Sequence, residues 1–168
     1  EALAFVQVRA ISTVLWDPAD ISSVVDGSDL VVEATGNRAY CDLLSRIAGE
    51  GDVPLVSAAL HRAGSIARVR VQIGNGHPLW ARSAADGFPE IPAAPGPPPP
   101  PTWETGCGSP VNNAPPVAVT RAASLASRMA IDVLVGRDRR EREVLEVFDP
   151  IETPPFGQLG LLTFEPTS

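Results

Sequence analysis

Apolar positions fall in short blocks separated by turn residues, and the spacing inside each block switches between extended and helical. Leu3 to Ile11 (LAFVQVRAI) has the β-branched and aromatic content of a strand. Pro18 to Val25 opens a short helix for which Asp17 is placed to cap the first turn. Asp29 to Thr35 (DLVVEAT) reads as a buried strand. From Arg38 to Gly49 the apolar residues Tyr40, Leu43, Leu44, Ile47 and Ala48 recur at helical spacing. Val53 to Leu60 is the third strand, again buried, and Ser65 to Ile73 (SIARVRVQI) keeps to a strand only loosely around Arg68 and Arg70. Strand and helix in alternation predict an α/β fold, a Rossmann-like parallel sheet with crossover helices.

Proline separates this block from a second one. Eleven of eighteen prolines lie between Pro89 and Pro116, five of them consecutive at Pro97 to Pro101, and such a stretch is excluded from helices and central strands. Gly74 to Thr102 is therefore expected to be a long, exposed and mobile excursion containing polyproline II structure. Beyond it, Ala114 to Val135 predicts one amphipathic helix ended by Gly136. Ala122, Ala126, Met129, Ala130, Val133 and Leu134 form its apolar side, and Arg121, Ser124, Arg128 and Asp132 its polar side. Glu143 to Phe148 should be a strand, with the tail from Asp149 packing partly on the sheet. The division that follows is 1–73 as one α/β half, 74–113 as a proline-rich loop, 114–150 as helix and final strand of the same domain, and 151–168 as a tail.

The composition, 44% apolar and 20% charged, belongs to a folded chain, and the net charge of −7 argues against a nucleic-acid partner. All thirteen basic residues are arginine. Two cysteines far apart indicate neither a disulfide framework nor a zinc site. No apolar run approaches the roughly 20 residues that cross a bilayer, and the start lacks signal-peptide character, so a cytoplasmic location without membrane attachment is expected.

Ligands in α/β sheets bind outside the carboxyl ends of the strands, which singles out three places. After the second strand comes Glu33-Ala34-Thr35-Gly36-Asn37, an acidic strand end and a turn leading into a helix N-terminus. It suits a phosphate or ribose, and a plain strand-to-helix turn capped by Asn37 is the simpler reading. His61 follows the third strand, where a hydrogen-bonded loop residue is the simpler reading. Cys107, between Gly106 and Gly108 and ahead of the long helix, is the candidate nucleophile, because glycines leave the sulfur accessible and a helix N-terminus favours the thiolate. Cys41, on the apolar side of its helix, reads as structural. Arg137 to Glu146 (RDRREREVLE) reads as a solvated mixed-charge surface.

The order Asp29-Leu-Val-Val-Glu-Ala-Thr-Gly-Asn37, helix, Val53-Pro-Leu-Val-Ser-Ala-Ala, then Gly64 before a strand resembles the second half of the ThiF/MoeB/HesA superfamily, the ubiquitin-activating-like enzymes. There the pattern runs D-L-V-x-D-x-T-D-N, helix, P-L-V-x-x-x, G-x-x-x-V. Cys107 followed by the Ala-rich helix from Val117 to Gly136 is similar to that family's crossover loop and late helix. The resemblance implies a bacterial, cytoplasmic, homodimeric adenylyltransferase that uses ATP and Mg²⁺ to activate the C-terminus of a ubiquitin-like or sulfur-carrier protein. On it, Glu33, Ala34, Thr35, Gly36 and Asn37 would border the ATP, and Cys107 would form a thioester.

The chain departs from the family pattern in three ways. The family's glycine-rich nucleotide loop and its ATP-contacting Arg and Lys would lie upstream of Glu1, so the chain is expected to be the C-terminal part of a larger protein and to bind ATP weakly alone. Gly36 replaces the T-D-N aspartate, leaving Glu33 to fill in for it, and paired zinc cysteines are absent. A degenerate partner-binding or dimerisation domain and a fragment of an NAD(P)-dependent dehydrogenase are the alternative functions.

Overall fold

The computed structural model describes residues 17–96 and 114–167, together with Ala10 and the backbone of 102–103 and 110–111. The strand expected from Leu3, apart from Ala10, and the candidate nucleophile Cys107 lie outside the described residues. The elements in chain order are α1 (Pro18–Val25), β1 (Val31–Glu33), α2 (Arg38–Glu50), β2 (Leu55–His61), β3 (Ile66–Gln72), the two-residue strands β4 (Thr102–Trp103) and β5 (Pro110–Val111), α3 (Pro116–Leu134), β6 (Arg142–Val147) and β7 (Gly160–Phe164).

Both early helices start where the sequence places their caps. The Asp17 carboxylate accepts from Ala19 N at 2.8 Å, and the Asn37 side chain accepts from Tyr40 N at 3.1 Å, each satisfying an N–H that the first helical turn leaves open. Ile21 and Val25 of α1 pack with Cys41, Leu44, Ile47 and Ala48 of α2 and with Val53, Leu55 and Leu79 in one core cluster.

A five-stranded sheet runs in the order β1-β2-β3-β6-β7, and it is mixed. Only β1 and β2 are parallel, joined by α2; β2 with β3, β3 with β6, and β6 with β7 are antiparallel. The all-parallel expectation fails at the β2–β3 connection. Four residues, 62–65, link these strands, whereas a parallel crossover needs a dozen or more. Gly64, with φ of +94°, sits in this link, where an added Cβ would lie 2.9 Å from Pro115 Cδ at the start of α3. The link is thus tight both in conformation and in packing.

The period of two along each strand assigns the faces. Val56, Val69, Val71 and Val144 point to one side, under Ala126, Met129, Ala130 and Val133 of α3, whose small residues let helix and sheet approach closely. Two α3 assignments need correction. Leu134 is exposed at the helix end, and Asp132 is buried, its carboxylate held by Arg128 at 3.2 Å and Arg137 at 2.7 Å. The tail does more than pack on the sheet: β7 joins it as an edge strand.

The other two corrections concern chemistry. Arg142, Glu143 and Glu146 are buried, because β6 is an interior strand with both edges paired, so Arg137 to Glu146 is not a solvated surface throughout. The stretch from Gly74 to Ile91, expected as an exposed excursion, is fastened over the sheet. Leu79 and Phe88 are buried, Leu79 N donates to Ser45 Oγ at 3.0 Å, and Arg82 donates to the carbonyl oxygens of Val71 (2.6 Å), His77 and Arg142. Prolines in this stretch bar ladder pairing but not side-chain burial.

Candidate functional site

On the face opposite α3, β1, β2, β3 and β6 bring polar side chains to a shared centre. Alternation along β2 places Leu55, Ser57, Ala59 and His61 on that face, and the β2–β3 register sets Arg70 opposite Ser57 and Arg68 opposite Ala59. Glu33 of β1 lies opposite Ser57, and Glu143 of β6 opposite Arg70. Ala59 is too short to fill the space between the two arginines. A cavity of about 420 Å³ results, within the roughly 300–1,000 Å³ of small-molecule sites. Leu79, Arg82 and Phe88 wall it from the overlying segment; Gly36, Asn37 and Arg38 stand at its mouth, where α2 begins. This is the region outside the carboxyl ends of the parallel pair β1 and β2, the position expected for a ligand.

The acidic strand end does not project freely into this cavity. Glu33 is buried; its Oε1 accepts from Thr35 N (2.7 Å) and Thr35 Oγ1 (2.6 Å), and its Oε2 accepts from Ser57 Oγ (2.8 Å). Thr35 Oγ1 in turn accepts from Asn37 N at 3.1 Å. The carboxylate therefore shapes the 33–37 turn and ties it to β2. Gly36 has φ of +68° with open space where a Cβ would lie, so its surroundings are roomy although its backbone favours glycine. Of the five residues expected to border a nucleotide, Glu33, Gly36 and Asn37 line the cavity.

Cys41 is buried, with its sulfur 3.3 Å from Ser57 Oγ and accepting from Arg70 Nη2 at 3.1 Å. Burial pushes its thiol up, which keeps it protonated and unreactive, in line with a structural role. His61 ends β2 rather than standing in a hydrogen-bonded loop, and its buried Nε2 has no partner among the described residues. Burial first, then the charges of Arg68 and Arg70, push its imidazole down to about 4, so it is neutral at physiological pH. An unfolded chain binds this proton more readily than the folded one between pH 6.5 and about 4. Stability is accordingly expected to fall as pH drops through that window, and urea melts of His61→Gln should show a shallower fall.

Arg68, Arg70, Arg82, Ser57 and Glu143 are site residues that sequence reasoning did not single out. A signal existed: Arg68 and Arg70, two apart in an otherwise apolar strand, must share one face. Arg82, by contrast, is indistinguishable in the sequence from a loop arginine. Its guanidinium is 4.7 Å from the Phe88 ring, and burial pushes it down to about 10, still charged.

The chain matches no known family model and no curated protein. Among solved structures it is similar to the crystal structure of selenomethionine PaaA, with 12% identity and a TM-score of 0.49 over 90% of this chain and 46% of that one. The chain thus spans somewhat less than half the length of PaaA, and a likeness of this degree carries no argument about fold or function.

Proposed function

We propose that this chain is the second half of an adenylating domain of the ThiF/MoeB/HesA kind, in which ATP activates the C-terminal carboxylate of a ubiquitin-like or sulfur-carrier protein. The observation that supports the reading is a cationic cavity at the carboxyl ends of β1 and β2, opening beside the N-terminus of α2. At its mouth the helix dipole and the Arg38 guanidinium, 92% exposed and only 4.0 Å from Asp42, offer positive charge to phosphate oxygens. The carrier's carboxylate would attack the α-phosphorus of ATP, breaking its bond to the β-phosphate, so that an acyl adenylate forms and pyrophosphate leaves. The 33–37 turn, stiffened by the Glu33 and Thr35 hydrogen bonds, positions the α2 N-terminus for this anion. Transfer of the acyl group to Cys107 and assembly as a homodimer complete the proposal.

Magnesium fits these residues poorly. It takes oxygen ligands, yet both Glu33 oxygens are engaged, Gly36 offers none, and among the described residues no three His, Cys, Asp or Glu side chains are placed to hold a metal. That observation favours a second reading, a partner-binding domain that has lost catalysis.

Exchange of labelled pyrophosphate into ATP tests the two, using the full-length protein with a carrier ending in Gly-Gly. Activation predicts carrier-dependent exchange, lowered about tenfold in Arg38→Gln by loss of a charged contact. Gly36→Asp should retain or raise it, since aspartate is among the residues that tolerate a positive φ. Absence of exchange, with the carrier still bound, rejects activation and supports the binding domain.

A further inference from the structure

We infer that the inner end of the cavity is a recognition site for a carboxylate group, held by Arg68, Arg70 and His61 above the small side chain of Ala59. The unused hydrogen-bonding capacity is concentrated there. Arg68 gives one terminal nitrogen to Glu143 Oε2 at 2.7 Å, while its buried Nε has no partner among the described residues. Arg70 uses only Nη2, on Cys41 Sγ and Ser57 Oγ, among its described contacts. The buried Nε2 of His61 is likewise unpartnered among the described residues. Buried polar atoms without partners are costly, and Arg68 Nε and His61 Nε2, beside the remaining nitrogens of Arg70, call for an acceptor with several lone pairs.

Charge selects the acceptor. Four guanidiniums, Arg38, Arg68, Arg70 and Arg82, line the cavity with three carboxylates, Glu33, Asp42 and Glu90, while Arg68 is also paired with the buried Glu143 and His61 is neutral. A monoanion disturbs this near balance less than a phosphate dianion does. Planar guanidinium donors also match the two oxygens of a carboxylate. A carboxylate held in this way has its lone pairs engaged and its charge stabilised, so it is poorly disposed to attack phosphorus. The site therefore recognises an acidic group of the substrate and is not the point of activation; it stands whether or not the domain adenylates.

Bound anion favours protonated His61, so affinity should rise as pH falls from about 7 to about 5. The charged groups acting on the imidazole are Arg68 and Arg70 from β3; Arg82 and Glu90 from the overlying segment, Glu33 from β1 and Arg38 and Asp42 from α2 line the same cavity, and Glu143 of β6 is paired with Arg68.

The test is a titration of the full chain with N-acetylglycine, without nucleotide, following the imidazole resonances of its two histidines. The expected result is a saturable shift of His61 but not of His77, no shift with N-acetylglycinamide, and weaker binding of inorganic phosphate. Arg70→Gln should weaken N-acetylglycine about tenfold. Should that variant fail to fold, Ala59→Leu provides the second reading by filling the cavity floor and abolishing the shift. An equal response to the amide, tighter binding of phosphate, or unchanged binding in Ala59→Leu overturns the proposal. Carboxylate binding by a protein that shows no pyrophosphate exchange would reject adenylation and leave this site standing.

Discussion

Glu143→Gln is expected to destabilise the protein by about 3–5 kcal/mol, the cost of removing one partner from a buried ion pair. Glu143 is fully buried, and its Oε2 accepts from Arg68 at 2.7 Å. Across the β3–β6 ladder it also stands opposite Arg70, and the charge of Arg82 lies near enough for the two to stabilise each other. Glutamine keeps the shape but removes the negative charge that lets these cations share one sheet face. Chemical denaturation should show the loss, and the thermal midpoint should fall by on the order of 10 °C for a chain of this size. The double variant Arg68→Gln with Glu143→Gln should recover part of it, since the coupling of two contacting charges is non-additive. If the single variant lost less than about 0.5 kcal/mol, as a surface substitution does, the buried pair would not hold the face together.

Phe88→Ala is expected to cost about 3–5 kcal/mol as a large-to-small change in a packed position, with much of the effect local. Phe88 is buried, its ring lies 4.7 Å from the Arg82 guanidinium, and it meets the His77 ring edge-on at 5.9 Å between centroids. Without it Arg82 loses its cover, and the hydrogen bonds to Val71, His77 and Arg142 become open to water. Amide exchange should accelerate at Leu79 to Phe88 well beyond any change at Val69 and Val71 in the middle of the sheet. The cavity loses a wall in the same step, so N-acetylglycine should bind more weakly. Uniform acceleration across the protein would instead mean that the segment and the sheet open as one unit.

Local features were legible because local physics sets them. The Asp17 and Asn37 caps, the helical spacing from Arg38, the apolar side of α3 at Ala122, Ala126, Met129, Ala130 and Val133, and the strand character of Val53 to Leu60 all follow from contacts within a few residues. The 33–37 turn was also recognisable as a special strand end, and three of its five residues do line the cavity.

Order along the chain thus specifies α1, α2, α3 and the strands β1, β2, β3 and β6 together with an α/β class, but not the edge strand β7. The antiparallel direction of β3 was already implicit in the short connection after β2, whereas the choice of which charges are buried was settled only in three dimensions. Glu143 in RDRREREVLE and Arg82 in a proline-flanked segment are written like surface residues. Their burial depends on strands and covering chain brought together from distant positions: the β3–β6 ladder encloses Glu143, and Phe88 with the edge of β3 encloses Arg82. Spacing along the chain records which way a side chain faces, but the charge partners that make burial tolerable are non-local, and only the folded sheet assembles them.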